Sequence, residues 1–203
     1  MNDLKTKIRG VLSCREQYTF TITDEPLSPA AVLIPLYEKE GEVHIMFTKR
    51  TQKVEHHKGQ ISFPGGGMHG GDRSLMDTAL RETFEEIGVR PQDIEVLGEL
   101  DRMGTLTSNY LVTPFVGVIP YPYEFVVSWY EIDELVEVPL SVLLDEKNYR
   151  EESQVYEGVT YVGSFFDYGD KVIWGATARM LRQFLDLVFY EHPPTRGSIT
   201  YGR

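Results

Sequence analysis

The chain has 203 residues, 41% of them hydrophobic and 25% charged, with a formal net charge of −11. That is long enough to bury one proper core and ordinary for a soluble globular protein, while the acidic balance excludes a non-specific binder of nucleic acid or anionic membrane. The single cysteine, Cys14, cannot close an internal disulfide, no apolar run approaches the ~18 residues of a membrane helix, and no signal core opens the sequence, so the expected location is cytoplasmic.

Residues 1–15 form a predicted amphipathic helix, with Leu4, Ile8, Val11 and Leu12 along a stripe suited to core packing. Pro26 and Pro29 stop any helix in the irregular lead-in from Tyr18 to Pro29, so residues 1–29 precede the main body of the domain. Ala30–Tyr37 suits a buried strand, Gly41 a turn and Val43–Arg50 a second strand, together a hairpin. Lys49, Arg50, Lys53, His56, His57 and Lys58 then cluster as local base in an acidic chain; by composition they read as a solvated loop. His56 and His57 lack the cysteine or spaced histidine that would complete a zinc site.

Phe63-Pro64-Gly65-Gly66-Gly67 is a turn in which backbone approaches closely without Cβ clashes and can aim a carbonyl at the helix that follows. Ser74-x-x-Asp77 has the form of a capping box, Ala79 and Leu80 favour helix, and Gly88 with Pro91 stops it. The predicted helix runs from Arg73 to Ile87. Glu82, Glu85 and Glu86 share one of its faces. They sit in its last turns, where the helix dipole disfavours anions by ~0.3–1 kcal/mol each. Three glutamates alone read as solvated surface. The glycine turn ahead of them, and Arg81 beside Glu82, able to orient carboxylates through a bidentate pair, point instead to a hard divalent cation on this face.

Beyond the helix, Ile94–Leu100 and Leu111–Ile119 are predicted strands, and the polar stretch Asp101–Asn109 between them is a predicted loop able to overhang a site. In residues 129–144 the acids Glu131 and Glu134 read by themselves as solvent-exposed. Tyr149–Lys171 alternates as a hairpin does, around Gly158 and Gly163. A last helix begins near Ile173, with Met180, Leu181, Phe184, Leu187 and Val188 facing the core, and residues 192–203 form a loose tail. Strands on both sides of one helix, with a second apolar-striped helix at the end, predict an α/β fold with a mixed sheet between helices.

The run Arg81-Glu82-Thr83-Phe84-Glu85-Glu86-Ile87-Gly88-Val89, preceded by the glycines at 65–67, resembles the signature of the Nudix hydrolases, in which a glycine and an acid precede R-E-U-x-E-E-x-G-U. Thr83 stands where an apolar residue is usual. Arg73 occupies the place of the upstream acid, with Asp72 one residue earlier; Asp72 either pairs with Arg81 or caps the helix. Phe47-Thr48-Lys49-Arg50-Thr51, Gly59-x-x-x-Phe63-Pro64-Gly65-Gly66, Tyr110–Gly117, the V-x-V-P-L element near 136–140 and Ile173-Trp174-Gly175-Ala176-Thr177-Ala178 are similar to the coenzyme A diphosphatase branch. Glu55 departs from that branch, which carries an arginine there.

The resemblance implies a Nudix-like α/β/α sandwich, a single domain over residues 1–203, and hydrolysis of a diphosphate linkage with magnesium, or manganese in its place. Glu82, Glu85 and Glu86 would hold the cation, with the carbonyl of Gly66 or Gly65 completing its shell. Glu131 is the first choice of general base, the helix glutamates the fallback, and Arg81 orients carboxylates; Glu82, Glu85, Glu131 and Arg81 form the expected catalytic set. Arg50, Lys49, Lys58 and Phe63 are the expected substrate contacts. The expected partner is a small nucleotide, with no nucleic acid and no membrane, and a homodimer stands as an option. Coenzyme A or its thioesters lead as substrate, ADP-ribose or another nucleoside diphosphate derivative follows, and a non-catalytic binding module comes last, since such a module is expected to have lost ligand glutamates.

Overall fold

The structure, a computed structural model, describes residues 1–21, 26–51, 59–105, 107–156 and 159–190. In chain order its elements are α1 (Asn2–Ser13), β1 (Thr19–Phe20), β2 (Ser28–Lys39), β3 (Glu42–Arg50), β4 (Ile61–Ser62), β5 (Gly65–Gly67) and α2 (Leu75–Ile87). Then come β6 (Glu95–Glu99), β7 (Arg102–Gly104), β8 (Tyr110–Val118), β9 (Ile132–Pro139) and α3 (Leu140–Leu144). The chain closes with β10 (Tyr149–Tyr156), β11 (Val159–Tyr168), β12 (Lys171–Trp174) and α4 (Gly175–Phe189).

The central sheet is mixed. β2 runs parallel to β8 and antiparallel to β3 and β5, while β9 joins β3 and β6 joins β8, both antiparallel. β2 is apolar on both faces because both faces are covered. Ala31, Leu33 and Tyr37 point into the cluster beneath α2 with Met46, Ala79, Ile87 and Phe115. Ala30, Ile34 and Leu36 point the other way, into the cluster shared with Ile8 of α1 and Leu181 and Phe184 of α4. Phe166 and Ile173 of the small antiparallel sheet β10–β11–β12 belong to that same second cluster. The layers are therefore α2, sheet, then α1 and α4, the α/β/α arrangement expected. No helix among the described residues is long and apolar enough to cross a membrane.

Two expectations need correction. The loop predicted over Asp101–Asn109 opens with β7, which pairs with β8 and, in parallel, with β1 from the lead-in. Polar Asp101 and Arg102 hid it from the alternation. The lead-in also ends early, since β2 starts at Ser28. The tail from residue 192 lies outside the described residues.

Candidate active site

α2 begins where its cap dictates. Ser74 accepts a hydrogen bond from the Asp77 N–H at 3.1 Å, and Gly88, at φ 77°, ends the helix by donating to the Phe84 carbonyl at 2.9 Å. The helix thus starts at Leu75, two residues later than predicted. Thr83, at the usually apolar position, is buried and loses nothing, because its hydroxyl donates to the Ala79 carbonyl at 2.7 Å. Beyond the helix, the Val126 N–H donates to the Ile87 carbonyl and the Ser128 N–H to the Glu86 carbonyl, satisfying orphan groups of its last turn. That docking ties the segment leading to Glu131 onto the end of α2.

The three helix glutamates share a face but not an environment. Glu85 is 54% exposed and Glu86 only 3%. Burial pushes the Glu86 carboxyl up to about 8; Glu82 and Glu131 push the same way, against Arg50 and the Gly65 N–H. One oxygen of Glu86 faces Arg50 Nη1 at 3.4 Å, and the other, Oε2, is buried with no hydrogen-bond partner among the described residues. Burial also raises Glu82, opposed by Arg81, whose Nη1 donates to it at 2.7 Å. β5 lies against this helix, and a Cβ added to Gly66 would sit 2.6 Å from the Glu82 carboxylate oxygens. Only glycine leaves that space open.

Arg81 is the organising cation. It donates through Nε and Nη2 to the two oxygens of Asp72, both at 2.9 Å, through Nη1 to Glu82 and to Glu85 at 3.0 Å, and through Nη2 to the Gly67 carbonyl at 3.1 Å. Asp72 also accepts from the His69 N–H and the Thr78 hydroxyl, each at 2.9 Å. Arg81 and these donors hold its carboxyl well below the usual carboxylate range. Of the two roles open to Asp72 in the sequence, the structure gives the pairing with Arg81. Arg73, at the place of the usual acid, turns outward to Asp77.

The structure brings Glu82, Glu85, Glu86, Arg81, Arg50 and Gly66 together, with Glu131 near enough to act electrostatically on Glu86. Glu134, the competing acid, is tied to Lys171 at 3.2 Å. Lys49 is not brought in: on β3 it alternates with Arg50, so it falls on the opposite face, 3.9 Å from Asp133 and Glu134. Phe63 is a core residue, 1% exposed and stacked on Phe47 at 4.8 Å, and cannot touch substrate. Lys58, with Lys53, Glu55, His56 and His57, lies outside the described residues. Sequence reading missed Thr78, whose buried hydroxyl at Asp72 carries no signature, and the Gly67 carbonyl.

The arrangement can hold a hard cation. Glu82 and Glu86 lie one helical turn apart with a glycine strand open before them, and Glu86 Oε2 is an oxygen donor with nothing to bind. Among the described residues no three His, Cys, Asp or Glu side chains converge as a ready cage. Arg81 draws Glu82 and Glu85 toward itself.

Comparisons with known proteins point to one family. A family profile described as NUDIX domain matches residues 27–157. The Nudix hydrolase NudL of Photorhabdus laumondii is 35% identical over 159 residues, covering 78% of this chain and 84% of that protein. Nudix hydrolase 15, mitochondrial, of Arabidopsis thaliana is 36% identical over 173 residues, 81% of this chain and 60% of its own length. Among solved structures, a NUDIX hydrolase from Alicyclobacillus acidocaldarius superposes with a TM-score of 0.48 at 16% identity, covering 83% of this chain and 93% of that one.

Proposed function

The chain belongs to the Nudix hydrolases, enzymes acting on pyrophosphate bonds and generally using a divalent metal such as Mg2+, and we propose that this one is a magnesium-dependent diphosphatase for a nucleoside diphosphate derivative, with coenzyme A or its thioesters as first substrate. The observation that carries the chemistry is Glu86, a buried carboxyl with an unpartnered oxygen beside Glu82 and the open Gly66 position. Glu82, Glu85 and Glu86, with the Gly66 carbonyl, would hold the cation. The cation would offset the charge of the diphosphate and lower the pKa of the attacking water.

The chain's own residues divide the remaining work. Glu131 takes the proton of the attacking water as it adds to phosphorus and the bridging P–O bond breaks. Arg81, fixed by Asp72, keeps Glu82 and Glu85 in register and makes no substrate contact. Arg50, 3.4 Å from Glu86, meets a phosphate oxygen.

The coenzyme A reading rests on the motifs around Thr48–Arg50, Gly59–Gly66 and Ile173–Ala178. Cleavage there gives 3′,5′-ADP and a phosphopantetheine product. Glu55, where that branch carries arginine, favours a second reading, ADP-ribose or another nucleoside diphosphate derivative. Retention of all three helix glutamates argues against a binding module without catalysis. The partner is a small nucleotide, and the lone Cys14 suits a reducing compartment such as the cytoplasm. A magnesium-supplemented hydrolysis screen over coenzyme A, ADP-ribose and dinucleoside polyphosphates tests the assignment. Turnover of coenzyme A first supports it; turnover of ADP-ribose alone replaces it with the second reading; no turnover of any removes both.

A further inference from the structure

Arg50 and Glu86 are an incompletely made pair. Arginine and carboxylate normally meet through two parallel bonds of about 2.7–2.9 Å. Here a single contact of 3.4 Å joins Nη1 to Oε1, while Arg50 Nε and Glu86 Oε2 are both buried without a hydrogen-bond partner among the described residues. Orphaned polar atoms on each member of one buried pair are costly. Two ligands would relieve them, an anion at Arg50 Nε and a cation at Glu86 Oε2. A second feature aims the arginine. The register between β3 and β9 shifts between Lys49 and Arg50, the local irregularity with which strands re-aim a side chain beside an active site. The Arg50 side chain is also 23% exposed, so part of it reaches solvent. Arg81 cannot serve in its place, being held by Asp72, Glu82, Glu85 and the Gly67 carbonyl.

We infer that Arg50 and Glu86 form a releasable pair, in which Glu86 surrenders Arg50 when it engages a cation and the freed guanidinium then binds a phosphate oxygen of the substrate. The inference rests on the diphosphatase reading and deepens it, because cation and anion binding become coupled through one side-chain exchange. Neither ligand needs to touch the other for that coupling to exist. In the metal-free protein the Glu86 side chain still covers Arg50 Nη1, and the site discriminates against free phosphates that arrive without a cation.

The test uses the full chain, EDTA-treated at about pH 9, well above ordinary carboxylate values, with inorganic pyrophosphate as the probe in calorimetry. Glu86→Gln should bind pyrophosphate about tenfold more tightly than wild type, because a neutral amide holds the guanidinium less firmly than a carboxylate. Arg50→Met in the same background should abolish the gain, and that double change also removes both members of the buried pair, which protects folding. Glu82→Gln, which removes an equal charge without touching Arg50, should give a smaller gain. With Mn2+ present, Arg50→Met alone should weaken pyrophosphate binding, whereas without metal it should not. Equal gains from Glu82→Gln and Glu86→Gln, or a gain that survives Arg50→Met, would overturn the inference. Failure of every substrate in the hydrolysis screen would remove the diphosphatase reading and leave the metal-free result standing, so the two are separable.

Discussion

Asp72 grips Arg81 through both carboxylate oxygens at 2.9 Å each, so the acid displaced by one residue from its expected place reaches the same guanidinium. Asp72→Asn keeps the shape and loses the charge. Loosening a partner that orients ligand carboxylates typically costs 10–100-fold in metal affinity or activity, and about that loss in kcat is expected. The folded-state pKa of Asp72 is depressed, so its contribution to stability is present above the unfolded carboxylate value of about 3.9 and fades as pH falls through and below it. Acid melting curves of wild type and variant should therefore converge at low pH.

Two adjacent glycines should fail in different ways. A Cβ at Gly66 meets only the far end of the Glu82 side chain, at 2.6 Å, and that carboxylate can swing aside. Gly66→Ala should fold near normally and lose metal affinity, read by Mn2+ titration. A Cβ at Gly65 meets the Ala31 carbonyl oxygen and, at 2.6 Å, Val32 Cα, neither of which can move without breaking the β2–β5 pairing. Gly65→Ala should lower the melting temperature sharply. The reverse ranking would mean that β5 does not lie against the carboxylates.

Glu86 reverses the usual behaviour of a carboxylate with pH. Its folded-state value of about 8 lies above the unfolded value of 4.5, so between those limits the metal-free folded protein keeps a proton that the unfolded chain has released. Stability should be full below the lower limit, fall as pH rises through the window, and level off above it. Glu86→Gln should flatten this dependence, match or exceed the metal-free wild type near pH 8, and abolish metal-dependent turnover. A large loss of stability on that substitution would make Glu86 a structural ion-pair partner and defeat the metal-site reading.

Glu131 and Glu134 separate the candidate bases. Glu131→Gln should lower kcat by 10²–10⁴-fold with a small change in KM, as loss of general-base assistance does. Glu134→Gln should leave turnover unchanged, because its carboxylate is engaged by Lys171 on the far side of the sheet. An unchanged kcat for Glu131→Gln would pass the role to the helix glutamates.

The helix, its cap at Ser74, its stop at Gly88 and the shared face of Glu82, Glu85 and Glu86 were legible in the sequence, because capping and 3.6-residue periodicity are local. The paired strands over Ala30–Tyr37 and Val43–Arg50 were legible for the same reason. Contacts across the sheet decided the rest. Glu85 and Glu86 are neighbours in sequence, yet packing against β2 and β5 buries one and leaves the other open to water. Lys49 and Arg50 both read as basic loop-edge residues, and the pleat sends them to opposite faces. Phe63 sits within a substrate-like motif but turns onto Phe47, where burial of aromatic surface outweighs any ligand contact. Glu131 stands 45 residues beyond Glu86, and hydrogen bonds of Val126 and Ser128 to the end of α2, with that of the Thr51 N–H to the Glu131 carbonyl, bring its segment back to the site. Spacing along the chain fixed which groups could share a helix face; burial and register, set by residues far away in sequence, decided which of them became chemically competent.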